Sequence, residues 1–297
     1  EFCSDCVLLG EFSKYVWNSK EEFKCNIKIT NYKKEMKSDI IIKAELLSDT
    51  EAVWSKEIQI NKLHIGVNNL ASLSFKLPDC KIPQKYILKL SSTTLSISNH
   101  YDLWVYPIVP EIDNKDILIT NNLDELLNGI SNNKNILYYP GEDEILNSIE
   151  GTYCTDFWCY PMFRSISESM GKPIPVGTMG LLINEKHPAL ENFPCEFYST
   201  QQWWHIVMNS QLSILDDVKI HPIVQMIDNF ERNHLLGLIY EFKVNESNIL
   251  VCTSPLEDIK DSRESQWLRY SLIEYIKSDN FKPEKTIDID MLIKKRM

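Results

Sequence analysis

Phe23-Lys24-Cys25-Asn26-Ile27-Lys28-Ile29-Thr30 alternates apolar and polar residues without a break. A period of two puts Phe23, Cys25, Ile27 and Ile29 on one face of a strand and the polar residues on the other, so one face meets a core and one meets water. The pattern recurs outward along the chain, at Ile40, Ile42, Ala44 and Leu46, at Leu73, Phe75 and Leu77, at Tyr86, Leu88 and Leu90, and at Tyr101, Leu103 and Val105. Polar clusters such as Asn31-Tyr32-Lys33-Lys34 and Val67-Asn68-Asn69 separate the runs. Short strands at this spacing, with no helical run between them, predict an all-β sandwich over residues 1–107. Pro107-Ile108-Val109-Pro110 ends the last run and marks a domain boundary, because proline removes backbone donors and restricts the residue before it.

Residues 108–297 have a different grain. Ile117-Leu118-Ile119-Thr120 and Ile136-Leu137-Tyr138-Tyr139 are short apolar strands, and Asp124-Glu125-Leu126-Leu127 between them opens a helix with acids at its positive end. Helical runs follow over 162–170 and 202–209, the second with Trp204, Val207 and Met208 on one face. Strand candidates span 223–227, 236–244 and 249–253, and Asn245-Glu246-Ser247-Asn248 reads as a hairpin turn between the last two. Residues 266–276 form an amphipathic helix with Leu268, Leu272, Tyr275 and Ile276 on one side. Strands alternating with helices predict an α/β domain built on a largely parallel sheet.

With 43% hydrophobic and 25% charged residues, the 297-residue chain has the make-up of a soluble globular protein with material for two cores. A formal net charge of −11 opposes binding to phosphate backbones, so no nucleic-acid partner is expected, and Lys294-Lys295-Arg296 reads as a solvated tail. No apolar run approaches the ~20 residues of a membrane span. The eight cysteines are even in number, but Cys25 and Cys252 sit in apolar runs like small buried hydrophobes, which points to a reducing, cytoplasmic setting. The chain does not begin with Met, and a leader removed upstream leaves a secreted or periplasmic location open.

The string Tyr101-Asp102-Leu103-Trp104-Val105-Tyr106-Pro107 resembles the close of the sandwich in bacterial family 2 glycoside hydrolases, the β-galactosidase-like enzymes. Gly151-Thr152-Tyr153-Cys154-Thr155-Asp156-Phe157-Trp158, His187-Pro188-Ala189-Leu190 and Gln202-Trp203-Trp204 resemble the C-terminal region of the same proteins. So do Ile227-Asp228-Asn229-Phe230-Glu231-Arg232-Asn233 and Ser265-Gln266-Trp267-Leu268-Arg269-Tyr270-Ser271-Leu272. The resemblance implies an immunoglobulin-like sandwich followed by an α/β domain of class I glutamine amidotransferase-like, flavodoxin-like architecture. It also implies that the sugar is cleaved elsewhere, in a (β/α)₈ barrel that precedes these domains. Such a barrel needs about 250 residues, and only about 190 follow the sandwich here.

Asn245-Glu246 matches the dipeptide around a family 2 acid/base, but it lies in a hairpin turn, where Asn serves the backbone. A retaining glycosidase also needs a second carboxyl group about 5 Å away. Cys154 and Cys159 lack the Gly-x-Cys-x-Gly elbow of an amidotransferase nucleophile. Cys3-Ser4-Asp5-Cys6 has the spacing of half a zinc site but no second pair, so it reads as chance spacing or a disulfide. His187, His205 and His221 form no metal pattern, and Gly177-Thr178-Met179-Gly180 reads as a turn rather than a phosphate loop. No metal or cofactor is expected.

The remaining candidate is aromatic. Asp156, Trp158 and Tyr160, with Trp203, Trp204 and His205, and with Asp228 and Arg232, would suit sugar stacked on rings and bonded by polar side chains, or alternatively a domain interface. The sequence thus predicts a non-catalytic accessory region of a β-galactosidase-like glycoside hydrolase. Its expected partners are the catalytic barrel of the parent chain, a second subunit or carbohydrate. The alternatives are a carbohydrate-binding module with exposed tryptophans and an independent hydrolase of unfamiliar design.

Overall fold

Strand alternation builds the first of two units. The computed structural model describes residues 4–33, 35–36, 39–132, 134–141, 144–145, 148–153, 160–171, 177–229, 232–259 and 261–295. The chain divides into Glu1–Ile108 and Val109–Met297.

The first unit contains β1 (Cys6–Glu11), β2 (Val16–Asn18), β3 (Glu22–Asn31), β4 (Ile40–Ser48), β5 (Glu51–Ile60), β6 (Gly66–Lys76), β7 (Gln84–Ser92) and β8 (Ile97–Tyr106). One sheet has the order β1-β3-β6 and the other β2-β8-β7-β4-β5. Phe23, Cys25, Ile27 and Ile29 of β3 are buried with Ile40, Ile42, Ala44 and Leu46 of β4, Leu88 and Leu90 of β7, and Leu103 and Val105 of β8. An aromatic row crosses this core, Trp17 on Phe23 at 5.1 Å, Phe23 on Phe75 at 5.2 Å and Phe75 stacked on Trp54 at 3.9 Å. The Gly10 N–H donates to the Tyr101 hydroxyl at 3.0 Å, tying β1 of one sheet to β8 of the other. A Cβ at Gly10 would stand 3.1 Å from that ring, so the approach uses glycine's bareness.

The second unit contains β9 (Leu118–Thr120), α1 (Leu123–Ser131), β10 (Ile136–Tyr138), β11 (Ser148–Glu150), α2 (Tyr160–Ser169), β12 (Thr178–Ile183), α3 (Trp204–Met208) and β13 (Gln211–Ile214). It continues with β14 (Val224–Asp228), β15 (Leu235–Val244), β16 (Ser247–Cys252), α4 (Arg263–Lys277) and α5 (Ile289–Lys295). One sheet runs β11-β13-β15-β16-β10-β9, and β14 pairs with both β15 and β12.

This corrects the largely parallel sheet expected for an amidotransferase-like domain. Among the described residues, β10 is parallel to β9 and to β16, and the other five pairings of the sheet are antiparallel. The cause lies in the connections. A parallel pair needs a crossover, and α1 supplies one between β9 and β10. By contrast, β15 and β16 are joined through Asn245 and Glu246, a two-residue turn with Asn245 at φ 53°. A second correction concerns Thr178, Met179 and Gly180, which begin β12 instead of forming a turn. Taken together the chain is mostly strand, in several sheets.

Alternation on the parallel strands assigns the faces. Ile136 and Tyr138 join Ile249 and Val251 in a core with Leu126 and Ile130 of α1. Helix α4 lies against β10, yet none of its buried residues belongs to that core, so it covers the opposite face. Both helices are capped at their starts, α1 by Asn122 and α4 by Ser262, each side chain accepting from the third residue on. Among the described residues no helix is long and apolar enough to cross a membrane.

Candidate functional site

The paired tryptophans split as a helix requires, since neighbouring residues project about 100° apart. Trp203 is fully buried, edge-on to Phe193 at 5.1 Å. Trp204 is 50% exposed and lies flat on Tyr153, with centroids 5.6 Å apart and planes 17° apart. His205 is exposed. Asp156 and Trp158 lie outside the described residues, as does the side chain of Tyr160, which begins α2.

Asp228 and Arg232 are close to this stack, but their hydrogen bonds are made within the chain. Tyr153 bridges Thr178, and Thr178 is opposite Asp228 in the β12–β14 register. Oδ1 of Asp228 accepts from Asn229 N–H at 2.8 Å and from Nε and Nη2 of Arg232 at 3.0 and 2.6 Å. Oδ2 accepts from His234 N–H at 3.0 Å. Arg232 also donates to the Gly177 carbonyl at 2.9 Å. The carboxylate therefore closes the loop after β14, and Arg232 ties that loop to the residue before β12.

Exposed apolar residues lie on β12 and β14, and Tyr153, the ring beneath Trp204, bridges the start of β12. Leu182 faces Gln225 across the β12–β14 pair and bridges Tyr198 on its other side, and Gly180 faces Ile227. Leu181, Ile183, Val224 and Met226 are buried, whereas Leu182, Tyr198 and Ile227 are exposed. Exposed Phe197 stands edge-on to Tyr198 at 4.9 Å. Burial pushes the Tyr153 phenol up to about 12, with the Ser199 hydroxyl, which accepts from Leu181 N–H at 2.6 Å, opposing the rise. The result is an apolar strip of Phe197, Tyr198, Leu182 and Ile227, with the half-exposed Trp204 joined to the start of β12 through Tyr153. Strips of this kind mark interaction surfaces.

Cysteine and metal chemistry find no foothold among the described residues. Burial pushes the thiol of Cys25 up to about 11 and those of Cys195 and Cys252 up to about 12, so none is a thiolate at neutral pH. Cys3, Cys154 and Cys159 lie outside those residues. No group of three or more His, Cys, Asp or Glu side chains there is placed to hold a metal. Glu246 sits at the β15–β16 turn with its side chain 78% exposed and paired with Lys243.

Two clefts hold titratable groups that sequence reasoning did not single out. The first, about 430 Å³, opens where β9, β10 and β16 end, and Thr120, Glu125, Tyr139, Gln211, Glu257 and Asp258 border it. Burial drives the Tyr139 phenol far above its usual range, with Cys252 adding to the rise, Arg269 opposing it and Glu257 adding a smaller part. The second, about 610 Å³, is bordered by Glu241, Tyr275, His187, Lys219, Lys282 and Lys285. There burial raises Glu241, the hydrogen bond from the Tyr275 hydroxyl at 2.8 Å lowers it, and Glu284 raises it. His187 is lowered by burial, and its Nδ1 accepts from Ala189 N–H at 3.2 Å as a helix cap. The one advance signal for the first cleft was Asn122 followed three residues later by Glu125, which reads as a helix start.

Comparison with known proteins places residues 118–295 in the family model described as a domain of unknown function, DUF8487. Residues 21–107 match a second such model, DUF8488. A comparison with curated proteins gives no match. Among solved structures, the β-glucosidase from Listeria innocua in complex with glucose is 13% identical over 35% of this chain and 16% of its own, with a TM-score of 0.25. The Pseudomonas fluorescens alkylpurine DNA glycosylase AlkC, bound to DNA containing an abasic site analog, is 8% identical over 35% of this chain and 31% of its own, with a TM-score of 0.26. The chain thus spans less than a third of either structure's length, and likenesses this slight carry no argument about function.

Proposed function

The chain belongs to the DUF8487 family, and we propose that it is a non-catalytic accessory region of a larger β-galactosidase-like glycoside hydrolase, seated on the catalytic barrel of the parent chain. The observation that carries this reading is the exposed apolar strip around Leu182, Tyr198 and Ile227. An apolar surface of this kind gains free energy when another domain covers it. The finer reading of the sandwich as immunoglobulin-like rests on its strand order, three strands facing five, and on β2 running parallel to β8 at the edge of the second sheet.

A carbohydrate-binding module is the second reading, favoured by the half-exposed Trp204 ring on Tyr153. It is the weaker one, because Asp228 and Arg232, the polar partners a stacked sugar would use, bond to each other and to the backbone.

The reading frame upstream of Glu1 tests the first proposal. A (β/α)₈ barrel encoded in frame supports it, and a stop codon directly upstream overturns it. Hydrolysis of nitrophenyl β-glycosides by the purified chain would also overturn it, and retention on insoluble polysaccharide that is lost in Trp204→Ala would favour the second reading.

A further inference from the structure

We propose that the cleft at the carboxyl ends of β9, β10 and β16 binds a small, neutral, polyhydroxylated molecule of about monosaccharide size. The proposal is independent of the accessory role, since the cleft and the apolar strip use different residues.

Position is the first argument. The three strands run in one direction, so the loops that follow them open on the same side. Ligands of open sheets collect at that edge. The cleft is about 430 Å³, within the range of small-molecule sites.

An unmet hydrogen bond is the second. Tyr139 borders the cleft, is more than nine-tenths buried, and its hydroxyl has no partner among the described residues. Burial keeps this phenol protonated, so it has a proton to donate. The Ser254 hydroxyl, close by in sequence to the cleft residues Thr253 and Pro255, is likewise buried without a partner. Buried polar groups in native proteins nearly always have partners, so the orphaned Tyr139 hydroxyl bordering the cleft, with a second in the segment that lines it, points to a ligand.

Charge and lining select the ligand class. Glu125, Glu257 and Asp258 border the cleft, and no Lys or Arg does so among the described residues, which opposes phosphate and carboxylate ligands. Two of the three acids are already compensated. Glu257 pairs with Arg269. Glu125 accepts from the Thr120 hydroxyl at 2.6 Å and stands in the first turn of α1, where the helix end favours negative charge. The field is therefore not that of a site awaiting a cation. What remains is a surplus of acceptors from three chain segments, with Ile119, Pro140 and Leu256 offering apolar contact. A molecule with several hydroxyl donors and apolar C–H faces matches that lining.

Titration of the full chain with D-glucose, D-galactose and myo-inositol, followed by saturation-transfer NMR, tests the proposal. Saturable binding of at least one of the three is expected. Tyr139→Phe and Asp258→Asn should each weaken it about tenfold, the value of one lost hydrogen bond. Tyr139→Phe keeps the ring and removes an unpartnered hydroxyl, so its melting temperature without ligand should not fall. Trp204→Ala should leave the affinity unchanged. No saturable binding, equal binding by both cleft variants, or preferential binding of inorganic phosphate or tetramethylammonium would each overturn the proposal, while leaving the accessory role to be decided by the upstream frame.

Discussion

Asp228 is where the two views of the aromatic region part, and Asp228→Asn separates them. The side chain is 1% exposed and accepts four N–H groups, from Asn229, twice from Arg232 and from His234. An amide has one oxygen. Its best orientation keeps the three bonds at Oδ1 and turns its NH₂ toward the His234 N–H, donor against donor. The lost bond and the unsatisfied donor cost about 1–3 kcal/mol. The loss of charge opposite Arg232 adds less than it would in a closed core, because Arg232 is 22% exposed and can be hydrated. A total of about 3 kcal/mol corresponds to a melting temperature lower by about 6–12 °C for a unit of this size. Arg232→Met leaves the carboxylate buried without its cation and should cost about 3–5 kcal/mol. The double variant should be less destabilised than the sum of the two by about 2 kcal/mol, because both single changes break one network. Calorimetry or urea unfolding reads all three. An Asp228→Asn cost below about 0.5 kcal/mol, with altered retention on polysaccharide, would refute the structural role and return Asp228 to the ligand-binding candidates.

Other outcomes follow from the same geometry. Trp203→Ala should cost about 3–5 kcal/mol by urea unfolding, because it empties a fully buried site beside Phe193, whereas Trp204→Ala should cost about 1 kcal/mol or less. Glu241 has its pKa raised in the fold, so the native state binds more protons than the unfolded chain between the ordinary glutamate range and that raised value. Stability should therefore be highest below the ordinary range and fall as pH rises through the window. Glu241→Gln, which keeps an acceptor for the Tyr275 hydroxyl, should flatten that fall in thermal melts at stepped pH. With Cys3, Cys154 and Cys159 changed to Ser, the native protein at pH 8 should leave Ellman's reagent nearly unreacted until denaturant is added, since burial raises the pKa of all five remaining thiols.

Legibility of the fold tracked the range of the forces involved. The run from Phe23 to Thr30 announced its face locally, and the buried set is the alternate set that a period of two selects. The elements at Leu118, Ile136, Leu235 and Arg263 were readable for the same reason, as was the turn at Asn245, whose residue type suits φ 53°. Strand direction was not readable. Ile136-Leu137-Tyr138 is buried on every residue and reads the same beside a parallel or an antiparallel neighbour. Its partners are chosen by the route of the chain, through the α1 crossover on one side and the β15–β16 hairpin on the other. At β12, Gly177 and Gly180 suggested a turn, but the strand there is stabilised by backbone bonding to β14, which no local pattern reveals.

The candidate site divides along the same line. Asp, Arg and Trp types suit a sugar platform, and they also suit loop closure and packing. The deciding atoms are the backbone N–H of His234 and the carbonyl of Gly177, which only the folded chain brings to Asp228 and Arg232. Correcting the sheet from largely parallel to mixed has a functional consequence too. Here β9, β10 and β16 are adjacent strands that share a direction, so their loops converge at one place. That place holds the cleft beside Glu125 and the hydroxyl of Tyr139, which has no partner among the described residues. The same sheet leaves the outer side of β12 and β14 uncovered at Leu182 and Ile227. The polar cleft and the apolar strip can be tested separately because they use different residues.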